Sequence, residues 1–173
     1  MHNNIIFIGG IHGSGKGTIC TRICQKLNIE HLTASEILNW SEISSNVGNK
    51  FVTNIPSTQH RLILGLKNRI LPNKKYILDG HFCLFNSEGE VENIQFETFF
   101  IIDPILVSVV ICDPTVIVQR LNFRDGKFYD LELIAQMQTN EIEYGSDVAK
   151  KLNKPFIIVE KDESLLIQAI NPN

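Results

Sequence analysis

Short apolar runs alternate along the chain with longer segments whose apolar residues recur every three to four positions. Five short runs read as strands, Ile5–Ile8, Ile29–Leu32, Lys75–Leu78, Ile105–Cys112 and Phe156–Val159, and of these Ile105–Cys112 is near-continuously apolar. A strand covered on one face alternates apolar with polar residues, whereas a strand covered on both faces reads apolar along its length. Ile105–Cys112 therefore predicts a strand covered on both faces, Ile5–Ile8 a buried strand, and the five runs together a parallel sheet. Between them the spacing predicts helices over Lys16–Leu27, Ala34–Trp40, Pro56–Leu71, Thr115–Phe123, Asp130–Asn153 and Ser164–Ile170. Pro114 suits the first turn of its helix, where a missing N–H costs nothing. Phe82–Ile94 reads as a hairpin turning at Asn86–Gly89, and the polar stretch Ser41–Asn54 reads as a connection. Strands alternating with helices give a single three-layer α/β domain with helices on both faces of the sheet. One polar residue, Glu141, interrupts the apolar stripe of the long helix Asp130–Asn153, which places it at a crevice or beside a basic group.

Composition narrows the partners. The 173 residues are 43% hydrophobic and 20% charged, with a formal net charge of −3. That balance gives no global field for nucleic acid, so any positive potential has to be local. No apolar run approaches the length of a membrane span, and the polar start Met1–Asn4 does not read as a signal peptide, so a cytoplasmic location is expected. Cys20, Cys24, Cys83 and Cys112 lack the spacing of a metal framework and read as small core residues.

The densest chemistry lies in Ile5–Cys24, IIFIGGIHGSGKGTICTRIC. An apolar strand breaks into a loop carrying Gly10, Gly13, Gly15 and Gly17, and the loop opens a helix. Loop amides and the positive end of the helix dipole then converge on one spot, to which Lys16 adds a full charge. Such a site holds a polyphosphate, with ATP or GTP as the candidates. Gly10-x4-Gly15-Lys16 fits the P-loop pattern, with Gly17 and then Thr18 after the lysine. The alternative is a glycine-rich strand–helix turn with no ligand. Asp79, at the end of the third run, suits Mg²⁺, held directly or through its waters; a capping role is the rival reading.

The string GGIHGSGKGT resembles the phosphate loop of adenylate kinases and other nucleoside monophosphate kinases, and the resemblance extends over nearly the whole chain. It implies a P-loop NTPase fold with strand order 2-3-1-4-5 and the use of ATP and Mg²⁺. It also implies phosphate contacts from Gly13, Ser14, Gly15, Lys16, Gly17 and Thr18, with Thr18 and Asp79 managing the metal. The helix ending in Arg120-Leu121-Asn122-Phe123-Arg124 resembles the one that carries an Arg-x3-Arg pair into the lid of those enzymes. Arg120 and Arg124 are then expected to stabilise the phosphoryl group in flight from a short lid at about 120–130. His12 stands where many of those enzymes carry proline, and reads either as a residue that senses the nucleotide or, the favoured reading, as a loop residue tolerated by the turn.

Segment 34–71 corresponds to the acceptor-binding region. His31–Asn39 is similar to the family's acceptor segment, but Asn39 occupies the place of an arginine. Ser35 is a candidate for helix capping or for touching a substrate, and Arg61 for a substrate phosphate or a solvated face. Cys83 falls where a second acceptor arginine is usual. Asp79-Gly80-His81 is similar to the Asp-x-His of the atypical adenylate kinases linked to ribosome assembly and of small archaeal adenylate kinases. There His81 is expected either to orient a water or hydroxyl or to be structural. The leading expectation is an ATP-dependent phosphotransferase, a nucleoside monophosphate kinase. The alternatives are a slow ATPase that acts as an assembly switch with a protein partner, and a kinase for a non-nucleotide small molecule.

Overall fold

Ile5–Gly9 forms the central strand, β1, and its pleat explains why the run is apolar throughout. Ile5 and Phe7 point into one core, with Leu62 and Leu66 on α3 (Ile55–Arg69), Phe99 and Ile102 on α4 (Phe96–Ile102), and Val148 on α6 (Leu131–Leu152). Ile6 and Ile8 point into the opposite core, with Ile19, Cys20 and Ile23 on α1 (Lys16–Leu27) and Leu166 and Ile170 on α7 (Ser164–Ile170). Each isoleucine so buried contributes roughly 2 kcal/mol by transfer from water. A computed structural model of the chain describes residues 4–38, 55–86 and 88–172. The predicted connection Ser41–Asn54 and the expectation for Asn39 lie outside them.

The remaining strands of the sheet are β2 (Glu30–Thr33), β3 (Tyr76–Asp79), β6 (Leu106–Val110) and β7 (Phe156–Val159). All pair in parallel, in the order β2-β3-β1-β6-β7. Numbered within this sheet alone, that is 2-3-1-4-5, as the resemblance implies. β1 lies between β3 and β6, so the connections leave its two sides in opposite directions and a crevice opens beyond the carboxyl ends. Register pairs Ile8 with Asp79, which brings the end of β3 beside the start of the glycine loop.

The hairpin forms as β4 (Cys83–Phe85) and β5 (Val91–Asn93), paired antiparallel. A third core lies below it, where Ile11 and Cys83 meet Ile117 and Leu121 of α5 (Pro114–Asp125) and Ile134 and Met137 of α6. The Asp113 carboxylate caps α5 by accepting from the Thr115 amide at 2.8 Å, and Asp130 caps α6 from the Leu133 amide at 2.8 Å. Two short helices complete the fold. Phe96–Ile102 folds as a helix, and the short helix α2 (Ala34–Ile37) is capped by Thr33, whose hydroxyl accepts from the Glu36 amide at 3.2 Å. Ser35 is therefore not the cap; it follows the cap, with its hydroxyl 3.4 Å from that of Thr33.

Candidate functional site

Two backbone conformations shape the loop between β1 and α1. Gly10 has φ 137°, and a Cβ there would lie 2.5 Å from the Val110 carbonyl oxygen. Gly15, at φ 92°, turns the chain into α1, and no side chain caps that helix. The opening amides of α1 are left for a ligand, with the dipole behind them. The Ser14 hydroxyl is buried with no hydrogen-bond partner among the described residues. An orphaned hydroxyl beside uncapped amides is the arrangement a phosphate oxygen completes.

The loop forms one wall of a cleft of about 920 Å³ at the carboxyl edge of the sheet. Gly13 to Thr18, Asp79, His81, Ser35 and Arg120 all line it, and so does His12. Lys16 is 8% exposed and its ammonium is paired with the Asp79 carboxylate. Burial opposes ionisation of Asp79, but the His31 imidazole 3.6 Å away and the Lys16 charge hold its carboxyl well below the usual range. The protein thus keeps a carboxylate and an ammonium in contact at the mouth of an uncapped helix. The oxygen donors of Asp79 and Thr18 suit a hard cation such as Mg²⁺. Cys20, His31 and Asp79 also place ligand atoms within 4.8 Å of one another. This is a juxtaposition the cysteine spacing did not reveal. Burial and the neighbouring Asp79 charge drive the Cys20 thiol far above its ordinary range, so it is not presented as a thiolate.

The two arginines expected in a lid part company. Arg120 donates to the Gly13 carbonyl at 2.8 Å and so braces the phosphate loop from α5. Arg124 forms a two-pronged pair with Asp125 at 2.6 and 2.7 Å, beside the Tyr129 hydroxyl, and is not among the residues lining the cleft. Arg61 reaches the Leu38 carbonyl at 3.4 Å and likewise does not line the cleft. His12 is more than a tolerated loop residue: its ring meets that of His81 with centroids 4.5 Å apart.

Glu141 is the residue whose place the pattern left open. It is fully buried and accepts backbone N–H bonds from Gly10, Phe82 and Cys83. Burial pushes its carboxyl up to about 7, and the three amides together with the Lys16 charge pull the other way. A lone glutamate on an apolar stripe was the available signal, and it does not name the partners.

A sequence model described as an AAA domain matches residues 9–138, three quarters of the chain. The chain belongs to the AAA domain family. This AAA domain protein is 30% identical over 136 residues to an adenylate kinase from Mycoplasma mobile, a match covering 72% of this chain and 58% of that protein. It is 28% identical over 135 residues to a probable UMP-CMP kinase 2 from Arabidopsis thaliana, covering 73% of this chain and 50% of that one. The chain therefore spans little more than half the length of these curated relatives. Their names agree with a nucleoside monophosphate kinase-like P-loop family. Among solved structures, a gluconokinase from Sinorhizobium meliloti 1021 superposes with a TM-score of 0.55 at 11% identity, covering 96% of this chain and 89% of that one. A shikimate kinase from Bacteroides thetaiotaomicron gives 0.51 at 15%, covering 96% and 94%. At such identities the likeness shows the shared P-loop kinase fold. No helix among the described residues is long and apolar enough to cross a membrane.

Proposed function

We propose that this AAA domain protein is an ATP-dependent phosphotransferase whose acceptor is a nucleoside monophosphate. The observation that carries the reading is the Lys16–Asp79 pair set under an uncapped, glycine-built loop with an orphaned Ser14 hydroxyl. Kinase-named relatives and kinase-like neighbours support it. Phosphoryl transfer demands positioning and charge neutralisation more than covalent help from the protein. Lys16 leaves Asp79 to bind phosphate oxygens; the loop amides from Gly13 to Thr18 and the Ser14 hydroxyl hold the rest. Asp79, so released, and Thr18 would hold Mg²⁺, which would supply neutralisation of phosphate charge. Arg120 already braces the loop and offers its remaining guanidinium donors to the cleft. Arg124 joins it only by giving up Asp125. The acceptor takes the lobe between α2 and α3, where Ser35 lies, with Arg61 turning from Leu38 to its phosphate.

One observation favours a second reading, in which water replaces the acceptor: two imidazoles, His12 and His81, line the same cleft. Labelled ATP with Mg²⁺, incubated with a panel of nucleoside monophosphates and with water alone, separates the two. Rapid diphosphate formation with one acceptor is expected. Hydrolysis indifferent to acceptor overturns the first reading in favour of the ATPase switch. Lys16→Ala should abolish nucleotide binding and turnover, and full activity in that variant refutes both.

A further inference from the structure

The phosphotransfer scheme above makes no use of Glu141, yet this carboxylate joins both loops that build the site. Its Oε2 accepts from the Gly10 amide at 2.9 Å, at the entry to the phosphate loop. Its Oε1 accepts from the Phe82 and Cys83 amides at 3.0 and 3.2 Å, immediately after Asp79-Gly80-His81. The same Oε1 lies 3.5 Å from His81 Nδ1. Both loops leave parallel strands at the same edge, and parallel neighbours are hydrogen-bonded only as far as their strands run. Beyond that edge the separation of the phosphate loop from the segment after β3 has to be set by something else. Glu141 does so, reaching 131 residues back to Gly10 and 59 back to Phe82.

We propose that Glu141 is a positioning residue: its buried carboxylate locks the phosphate loop to the segment 79–83 and holds the His81 ring against the cleft wall. The proposal rests on the phosphotransferase reading for its kinetic consequence, though not for its geometry. Lys16 pairs directly with Asp79 across the two loops, and Glu141 adds a buried, three-amide tie between Gly10 at the entry to the first loop and Phe82 and Cys83 at the end of the second. The ring contact between His12 and His81 follows from it. A carboxylate suits the task better than an amide. It has only acceptor atoms, and here three backbone donors and an imidazole converge on two oxygens. The charged and titratable groups that bear on it are His12 and Lys16 from the phosphate loop and Asp79, His81 and Cys83 from the segment after β3. The Cys83 sulfur is 3.6 Å from Oε1. Protonation of Glu141 weakens its hold on the three amides, so the tie between the loops loosens at low pH.

The test compares Glu141→Gln, Glu141→Asp and Val148→Ala. Val148 is fully buried on the same helix and is not among the residues lining the cleft, so its variant reports loss of core packing. Three readouts apply: melting temperature, steady-state kinetics across pH, and the His81 ring resonances, assigned by their loss in His81→Gln. In Glu141→Gln, kcat should fall on the order of 100-fold with KM for ATP changed less than about threefold, since about 1 Å of misplacement costs that much. The His81 resonances should shift, because the ring loses its contact with the carboxylate, and Glu141→Asp should restore part of both effects. Val148→Ala should lose stability while keeping kcat and the His81 spectrum. The proposal is overturned by His81 resonances in Glu141→Gln that superimpose on those of the wild type, or by activity that merely tracks melting temperature across all three variants. The spectrum decides even if wild-type protein turns over no ATP, a result that would sink the phosphotransferase reading alone.

Discussion

Glu141 makes folding stability fall as pH rises through the neutral range, against the usual direction for a carboxylate. In the unfolded chain its carboxyl has the ordinary value of 4.5, and in the fold burial raises it to about 7. Below 4.5 both states hold the proton, and this group's stabilisation is fully present. Between those values the unfolded chain releases the proton while the native state keeps it, so stability drops with pH. Above about 7 both states are ionised, and the loss is complete. A gap of about 2.5 pH units at about 1.4 kcal/mol each gives a total of about 3 kcal/mol. Asp79 acts in the opposite direction and in a different window. Its carboxyl is held low, so its contribution is present above its ordinary 3.8 and is lost in acid. The perturbation is Glu141→Gln, which cannot ionise and which opposes an amide NH₂ to at least one of the three backbone donors. That mismatch should cost about 1–3 kcal/mol at the acid end. The assay is urea unfolding followed by far-ultraviolet circular dichroism from about pH 4.5 to 8, comparing slopes rather than absolute stabilities. The comparison cancels contributions from groups distant from the substituted residue, which are common to both proteins. Wild type should lose about 3 kcal/mol relative to the variant across the window. Parallel stability curves would refute the reasoning, because they would mean that the buried carboxyl does not change its proton occupancy on folding.

Two further outcomes follow from the same geometry. Gly10→Ala forces a Cβ against the Val110 carbonyl at φ 137°, and should destabilise the fold by about 3 kcal/mol or more, roughly 10 °C in melting temperature; an unchanged melting curve would contradict the loop geometry. Among the cysteines, burial pushes the Cys24 thiol up to about 11 and those of Cys20 and Cys83 higher still, while Cys112 is half-buried. Iodoacetamide on native protein should therefore modify Cys112 first and the other three only after denaturation, as peptide mass spectrometry will show; early labelling of Cys20 would count against its packing.

Much of this protein is local and so was legible in its chain. A strand buried on both faces has to be apolar at every position, and Ile5–Ile8 announces itself in that way; Phe156–Val159 is equally apolar but lies at the sheet edge with Ile158 exposed. A turn at positive φ favours glycine, which marks the loop, and the Asp113-Pro114 and Asp130 helix starts depend on amides two or three residues away. Lys16 and Asp79 stand out as chemistry-bearing residues for the same reason, each tied to the end of an element. Whether they touch was a different matter, since that depends on the pairing of Ile8 with Asp79 across two parallel strands. The fates of Arg120 and Arg124 were equally hidden. Four-residue spacing puts both on one helical face, but Arg120 finds Gly13, 107 residues away, and Arg124 stops at its neighbour Asp125. Glu141 is the extreme case. A glutamate on an apolar stripe shows that something polar has to meet it, because a buried carboxylate without donors is too costly to keep. Only the folded chain brings Gly10, Phe82 and Cys83 to it, since hydrogen bonds of that span are set by the topology of the sheet and leave no periodic trace in the residues that make them.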